Sequence, residues 1–84
     1  MNISYKLNKN ITGRTAANLV FALSNTKNVR IIKKDRCFNG ASLLGILANN
    51  LSENDNIEVV IEDIKDIPIV KEAFQELGKK VEQC

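Results

Sequence analysis

Apolar and polar positions first alternate in the stretch NISYKLN, where Ile3, Tyr5 and Leu7 share one side, so positions 2 to 8 read as a half-buried strand. The period then changes. In ITGRTAANLVFAL, Ala16, Leu19, Val20 and Leu23 recur at the spacing of one helix face, which predicts an amphipathic helix over Ile11 to Leu23 running on to about Thr26. Ala17 and Phe21 form a second stripe one step round, where an aromatic meets solvent. Asn25 to Asn28 supply turn chemistry, and Val29 to Lys34 carries the β-branched residues of a second strand. Asp35 and Arg36 turn the chain into a brief third strand at Cys37 to Asn39.

The segment NGASLLGILANNL predicts a short helix from Leu43 to about Asn49, with Ser42 as N-cap and an Asn pair suited to a left-handed end. It is apolar nearly all round. Leu43, Leu44, Ile46, Leu47 and Leu51 cannot all face one core from about two turns, so part of this set belongs on the surface as a contact patch. Ile57, Val59 and Ile61 alternate with Glu58 and Glu62 as the clearest strand, expected at the centre of the sheet. Asp66 as cap, Pro68 in the first turn, and Val70, Ala73, Phe74, Leu77 and Val81 at helical spacing predict a last helix whose end Gly78 frays. The order βαββαβα gives an α+β domain: a two-layer, open-faced sandwich of one four-stranded, mainly antiparallel sheet with three helices on one face.

Composition narrows this picture. A chain of 84 residues supports one core, so residues 1–84 are expected to form a single domain. With 44% hydrophobic and 26% charged residues it is neither a disordered tail nor a membrane span. The amino terminus has no secretion-type apolar core, so a cytoplasmic protein is expected. A net charge of +2 is too balanced for bulk attraction to nucleic acid or membrane. Lys33, Lys34 and Arg36 cluster at a hairpin tip, where solvated charge normally sits, and one Tyr with three Phe offers no stacking motif for RNA. Cys37 and Cys84 are poorly placed for a framework disulfide and read as reduced thiols. No histidine is present, which removes the commonest general base and transition-metal ligand; no cofactor or metal is expected.

Candidate chemistry sits at two helix starts. Thr12 offers an oxygen at an N-cap position, Gly13 permits a sharp entry, and Arg14 places a guanidinium beside unpaired N–H groups, together an anion or phosphate site. Ser42 caps the second helix, and a phosphate there would meet the positive end of that helix. Ala17, Phe21, Leu43, Leu44 and Leu47 form the expected partner-binding surface.

The element order, with ITGRTAA near the start and NGASLLGIL in the middle, resembles the HPr family, phosphocarriers of the bacterial sugar phosphotransferase system. The family's first motif runs roughly Leu-His-Ala-Arg-Pro-Ala; here it is Ile11-Thr12-Gly13-Arg14-Thr15-Ala16. Arg14 is kept, Thr12 replaces the phosphate-accepting histidine and Thr15 the proline. The second signature is intact as Ser42-Leu43-Leu44-Gly45-Ile46-Leu47. The resemblance implies an HPr-type sandwich and a divergent, non-enzymatic member similar to the catabolite-repression paralogue Crh: a regulatory, protein-binding module with Ser42 as a phosphorylation switch. It implies as partners a serine kinase/phosphorylase and a transcriptional regulator or phosphotransferase components. A working phosphocarrier is the alternative, and the missing histidine stands against it.

Overall fold

The computed structural model describes residues 1–81. Five strands form one antiparallel sheet: β1 (Asn2–Leu7), β2 (Arg30–Lys33), β3 (Arg36–Asn39), β4 (Asn56–Val60) and β5 (Gly78–Val81), in the order β3-β2-β4-β1-β5. Between them lie α1 (Gly13–Leu23), α2 (Leu43–Ala48) and α3 (Ile67–Phe74), the last preceded by a 3-10 turn at Ile64–Asp66.

Alternation along the strands decides which face is covered. Register pairs Ile3 with Val59, Tyr5 with Ile57, and Ile31 with Val59, so these five buried side chains stand on one side of three adjacent strands. The helices bury that side with Ala16, Leu19 and Leu23 from α1, Ile46 from α2, and Val70 and Phe74 from α3. Phe74 stacks on Tyr5 with ring centroids 4.8 Å apart, fastening α3 to the sheet. The opposite face, with Ser4, Lys6, Ile32 and Glu58, has no helix over it. β4 is paired on both sides, as its alternation requires.

Local chemistry sets the ends of the elements. Thr12 is extended and Gly13 has φ +51°, the left-handed entry that a glycine takes without strain. α1 stops at Leu23, short of Thr26, because Ser24 and Thr26 turn their hydroxyls back onto the carbonyls of Phe21 and Leu23 at 2.7 and 2.6 Å. The Asn pair closes α2: Asn49 Nδ2 donates to the Gly45 carbonyl at 2.6 Å and Asn50 takes φ +48°.

Three expectations are corrected. The sheet has five strands, not four, because the helical spacing through Leu77 and Val81 breaks after Phe74 and residues 78–81 return as β5 beside β1. Thr12 occupies the N-cap position but its side chain makes no capping bond. Asp66 does not cap α3; its buried carboxylate accepts from the Lys27 amide at 2.7 Å and ties the loop after α1 to the start of α3. Cys37 is an exposed thiol on β3, and Cys84 lies outside the described residues.

Gly78 separates the two readings of the carboxyl-terminal segment. In a helix, Gly78→Ala raises stability by about 1 kcal/mol. In β5, a Cβ at Gly78 would sit 2.7 Å from the Lys6 carbonyl oxygen. Gly78→Ala is therefore expected to cost about 1–3 kcal/mol in urea unfolding, with faster amide exchange in β5.

Candidate functional site

Two contacts fix the relation of the helix starts. The Ile11 amide, just before α1, donates to the Leu51 carbonyl beyond the end of α2 at 2.8 Å. At the other end, a Cβ on Gly40 would lie 3.0 Å from Leu23 Cδ1, so the approach to α2 passes against the end of α1. The two helices are thus antiparallel neighbours. Phe21, near the end of α1, shares an end of the pair with Ser42, while Thr12 and Arg14 share the other end with Asn49 and Asn50. Six residues of α2, about 9 Å of helix, lie between the two ends. Thr12 and Ser42 therefore lie at opposite ends of the strip that carries Phe21 and the α2 leucines.

Ser42 is extended and half-buried, and its Oγ accepts from the Gly45 amide at 3.1 Å, as a capping serine does. The apolar residues beside it are open to solvent: Phe21 is 78% exposed, Leu44 81%, Leu43 40% and Leu47 41%. Ile46 alone of α2 is buried, so one side chain anchors this helix and the leucines are left outside. Ala17 is exposed on α1 in the same stripe as Phe21.

At the α1 start, Thr12, Gly13 and Arg14 are all exposed. Thr15 and Ala16 donate their amides to the Thr12 carbonyl at 3.0 and 3.3 Å. The earliest N–H groups of the helix have no intrahelical acceptor, and Thr12 does not supply one from its side chain. Arg14, the second residue of α1, makes no ion pair among the described residues. The described residues contain no group of three or more His, Cys, Asp or Glu placed to hold a metal ion.

Sequence reasoning missed the role of Lys33, which was grouped with Lys34 and Arg36 as hairpin charge. Its ammonium reaches the end of α2, donating to the Asn49 and Asn50 carbonyls at 3.2 and 2.7 Å and pairing with Asp55 at 2.9 Å. A cation there meets the negative end of the helix dipole and its unpaired carbonyls. Lys33 occupies the inward side of β2, two residues from buried Ile31, and that parity was the available signal. The Lys33 hydrogen bond, aided by the Ser52 amide and the charges of Lys33 and Lys34, holds the Asp55 carboxyl below its ordinary pKa.

These features define a small α+β carrier-type sandwich with an amide-rich helix start and a serine-capped second helix. The sequence model described as "PTS HPr component phosphorylation site" matches residues 3–83, and the chain belongs to the HPr family, whose members are phosphocarrier proteins and not enzymes. Solved structures agree on the fold. HPr-C-His from Thermoanaerobacter tengcongensis is 17% identical with a TM-score of 0.79, covering 89% of this chain and 88% of its own. The phosphocarrier protein HPr from Bacillus anthracis str. Ames is 17% identical with a TM-score of 0.76, covering 92% and 93%. A comparison with curated proteins gives no significant match.

Because the folded pKa of Asp55 is depressed, its contribution to stability is present above the ordinary carboxylate range, about pH 4, and is lost as pH falls through the depressed value. Lys33→Met removes the cause. Urea unfolding of this variant is expected to show reduced stability at neutral pH and a shallower loss of stability below about pH 4 than the parent.

Proposed function

We propose that this member of the HPr family is a switchable protein-binding module, not a histidine phosphocarrier, and that phosphorylation of Ser42 sets its affinity for a partner. The observation that carries this reading is a serine hydroxyl capping a helix whose leucines stay exposed beside Phe21. The sequence holds no histidine, and Thr12 stands at the motif position where the family has its acceptor. A threonine ester transfers its phosphoryl group far less readily than a phosphoimidazole. Ala17, Phe21, Leu43, Leu44 and Leu47 form the apolar part of the surface.

Phosphate on Ser42 places nearly two negative charges at the positive end of α2, so the modification is compatible with the fold. It also changes what the leucines present, from an apolar patch to an apolar patch edged by an anion that a partner's arginine can take. Thr12, Gly13 and Arg14, at the far end of the strip, supply a second anion-binding point. The partners are proteins of the cytoplasm: a serine kinase/phosphorylase that writes the mark, and a transcriptional regulator or phosphotransferase component that reads it. Direct contact with nucleic acid or membrane is not part of this reading.

The apolar and charge contributions are separable by mutation. Leu47→Ala is expected to weaken partner binding by about 1–2 kcal/mol with or without phosphate. Ser42→Ala is expected to abolish only the phosphate-dependent increment, at a stability cost of about 1 kcal/mol from the lost cap. Pull-down from source lysate and a kinase assay read both. A Leu44→Asp, Leu47→Asp double variant that captures the parent's partners, with Ser42 left unmodified by a Gram-positive-type serine kinase, returns Ser42 to being a helix cap and nothing more.

A further inference from the structure

A nucleophile and an electrophile stand side by side where β3 ends. Of the eleven asparagines in the chain only Asn39 precedes a glycine; the other ten precede residues whose Cβ crowds the amide nitrogen next to the asparagine side chain. Asn39 is exposed at the end of an edge strand, and Gly40 is buried. Packing demands the glycine, because a Cβ there would lie 3.0 Å from Leu23 Cδ1 and 3.2 Å from the Val29 carbonyl oxygen. The fold therefore keeps beside Asn39 the one residue type that leaves its backbone nitrogen open to the neighbouring side chain.

Two hydrogen bonds act on this pair in opposite senses. The Ala41 amide donates to Asn39 Oδ1 at 2.8 Å, which polarises the side-chain carbonyl and stabilises negative charge developing on its oxygen. The Gly40 amide donates to the Val29 carbonyl at 2.9 Å, which occupies the nitrogen that would attack. That bond lies one step beyond the last β2–β3 pair, Arg30 with Asn39, at the end of an edge strand, where local opening costs least. We infer that Asn39 is a site of spontaneous deamidation, gated by opening of the Gly40–Val29 hydrogen bond. In the open state the Gly40 nitrogen gives up its proton and bonds to Asn39 Cγ. The bond from Cγ to the side-chain nitrogen breaks, and ammonia leaves with a proton. Water then opens the cyclic imide at either carbonyl, giving aspartate, or isoaspartate with the backbone routed through Cγ.

Both products leave a permanent carboxylate three residues before Ser42, whose amide donates to the Asn39 carbonyl at 3.1 Å. Aspartate keeps the contacts of Ala41 and Ser42, whereas isoaspartate lengthens the backbone and breaks the turn into α2. The reaction needs neither phosphate on Ser42 nor a partner, so it stands or falls apart from the proposed switch.

Peptide mapping by mass spectrometry tests this on the full chain, incubated at mildly alkaline pH in buffer and in guanidinium chloride. Each asparagine is followed for exchange of NH2 for OH, and an isoaspartate-specific methylation assay reads the second product. Asn39 is expected to convert first in both conditions, faster as pH rises, and at least about tenfold more slowly in the folded chain, the factor one backbone hydrogen bond sustains. The ratio of the two rates is expected to match the protection of the Gly40 amide against hydrogen exchange. Asn39→Gln, whose longer side chain closes the ring poorly, is expected to lose this conversion, and its dispersed amide spectrum verifies the fold. Another asparagine converting ahead of Asn39, equal rates in buffer and denaturant, a rate ratio that departs from the Gly40 protection by more than about tenfold, or an unchanged first conversion in Asn39→Gln overturns the inference.

Discussion

The structure depends on the register that places Ile3, Tyr5, Ile31, Ile57 and Val59 on one side of three neighbouring strands. A slip of one residue in any pairing would turn apolar side chains to solvent and bring Lys6 or Glu58 beneath the helices. With only 84 residues the chain covers one face of the sheet, and among the described residues the three helices supply that cover together with loop residues such as Ile11 and Leu51. Their positions follow from what they must bury. α1 lies between the other two helices and contributes three fully covered residues, α3 adds Val70 and the Phe74 stack, and α2 contributes Ile46.

That unequal division of labour is what frees α2 for another task. A helix fixed to the core through one side chain would be a weak element by itself, so its ends are held by other means. Ser42 closes the first turn, Asn49 closes the last, and Lys33 reaches across from β2 to take two terminal carbonyls while its charge is met by Asp55. Polar contacts at both ends allow the leucines between them to remain outside the core. Exposed apolar clusters are where protein partners commonly dock, and the antiparallel packing of α1 and α2 adds Phe21 to the same strip.

Much of this was legible from residue patterns, for identifiable reasons. Alternation at Ile57 to Ile61 and at Ile3 to Leu7 sets strand faces directly, and the excess of apolar residues in LLGIL could not be absorbed by two helical turns. The carboxyl-terminal segment was misread because Leu77 and Val81 fall at a spacing that suits a helix continuing from Val70 and Phe74. Its strand is decided instead by a long-range event: the close approach of Gly78 to the Lys6 carbonyl, which only a residue without Cβ allows. Lys33 was misread similarly. A lysine at a hairpin tip normally faces water, and its partners at Asn49, Asn50 and Asp55 are distant in sequence. The Thr12 and Asp66 assignments failed because an N-cap residue type marks where a helix begins without requiring the side chain to bond there.

The central claim is that this HPr-family chain has kept the fold and the anion-tolerant helix start while giving up phosphoryl transfer through histidine. Its most direct test is incubation of the purified protein with phosphoenolpyruvate and the general phosphotransferase enzyme, followed by intact-mass spectrometry before and after mild acid. No acid-labile phosphate is expected on the chain. An acid-labile adduct of one phosphate, formed only with the enzyme present, would contradict it and make the protein a carrier with an acceptor other than histidine.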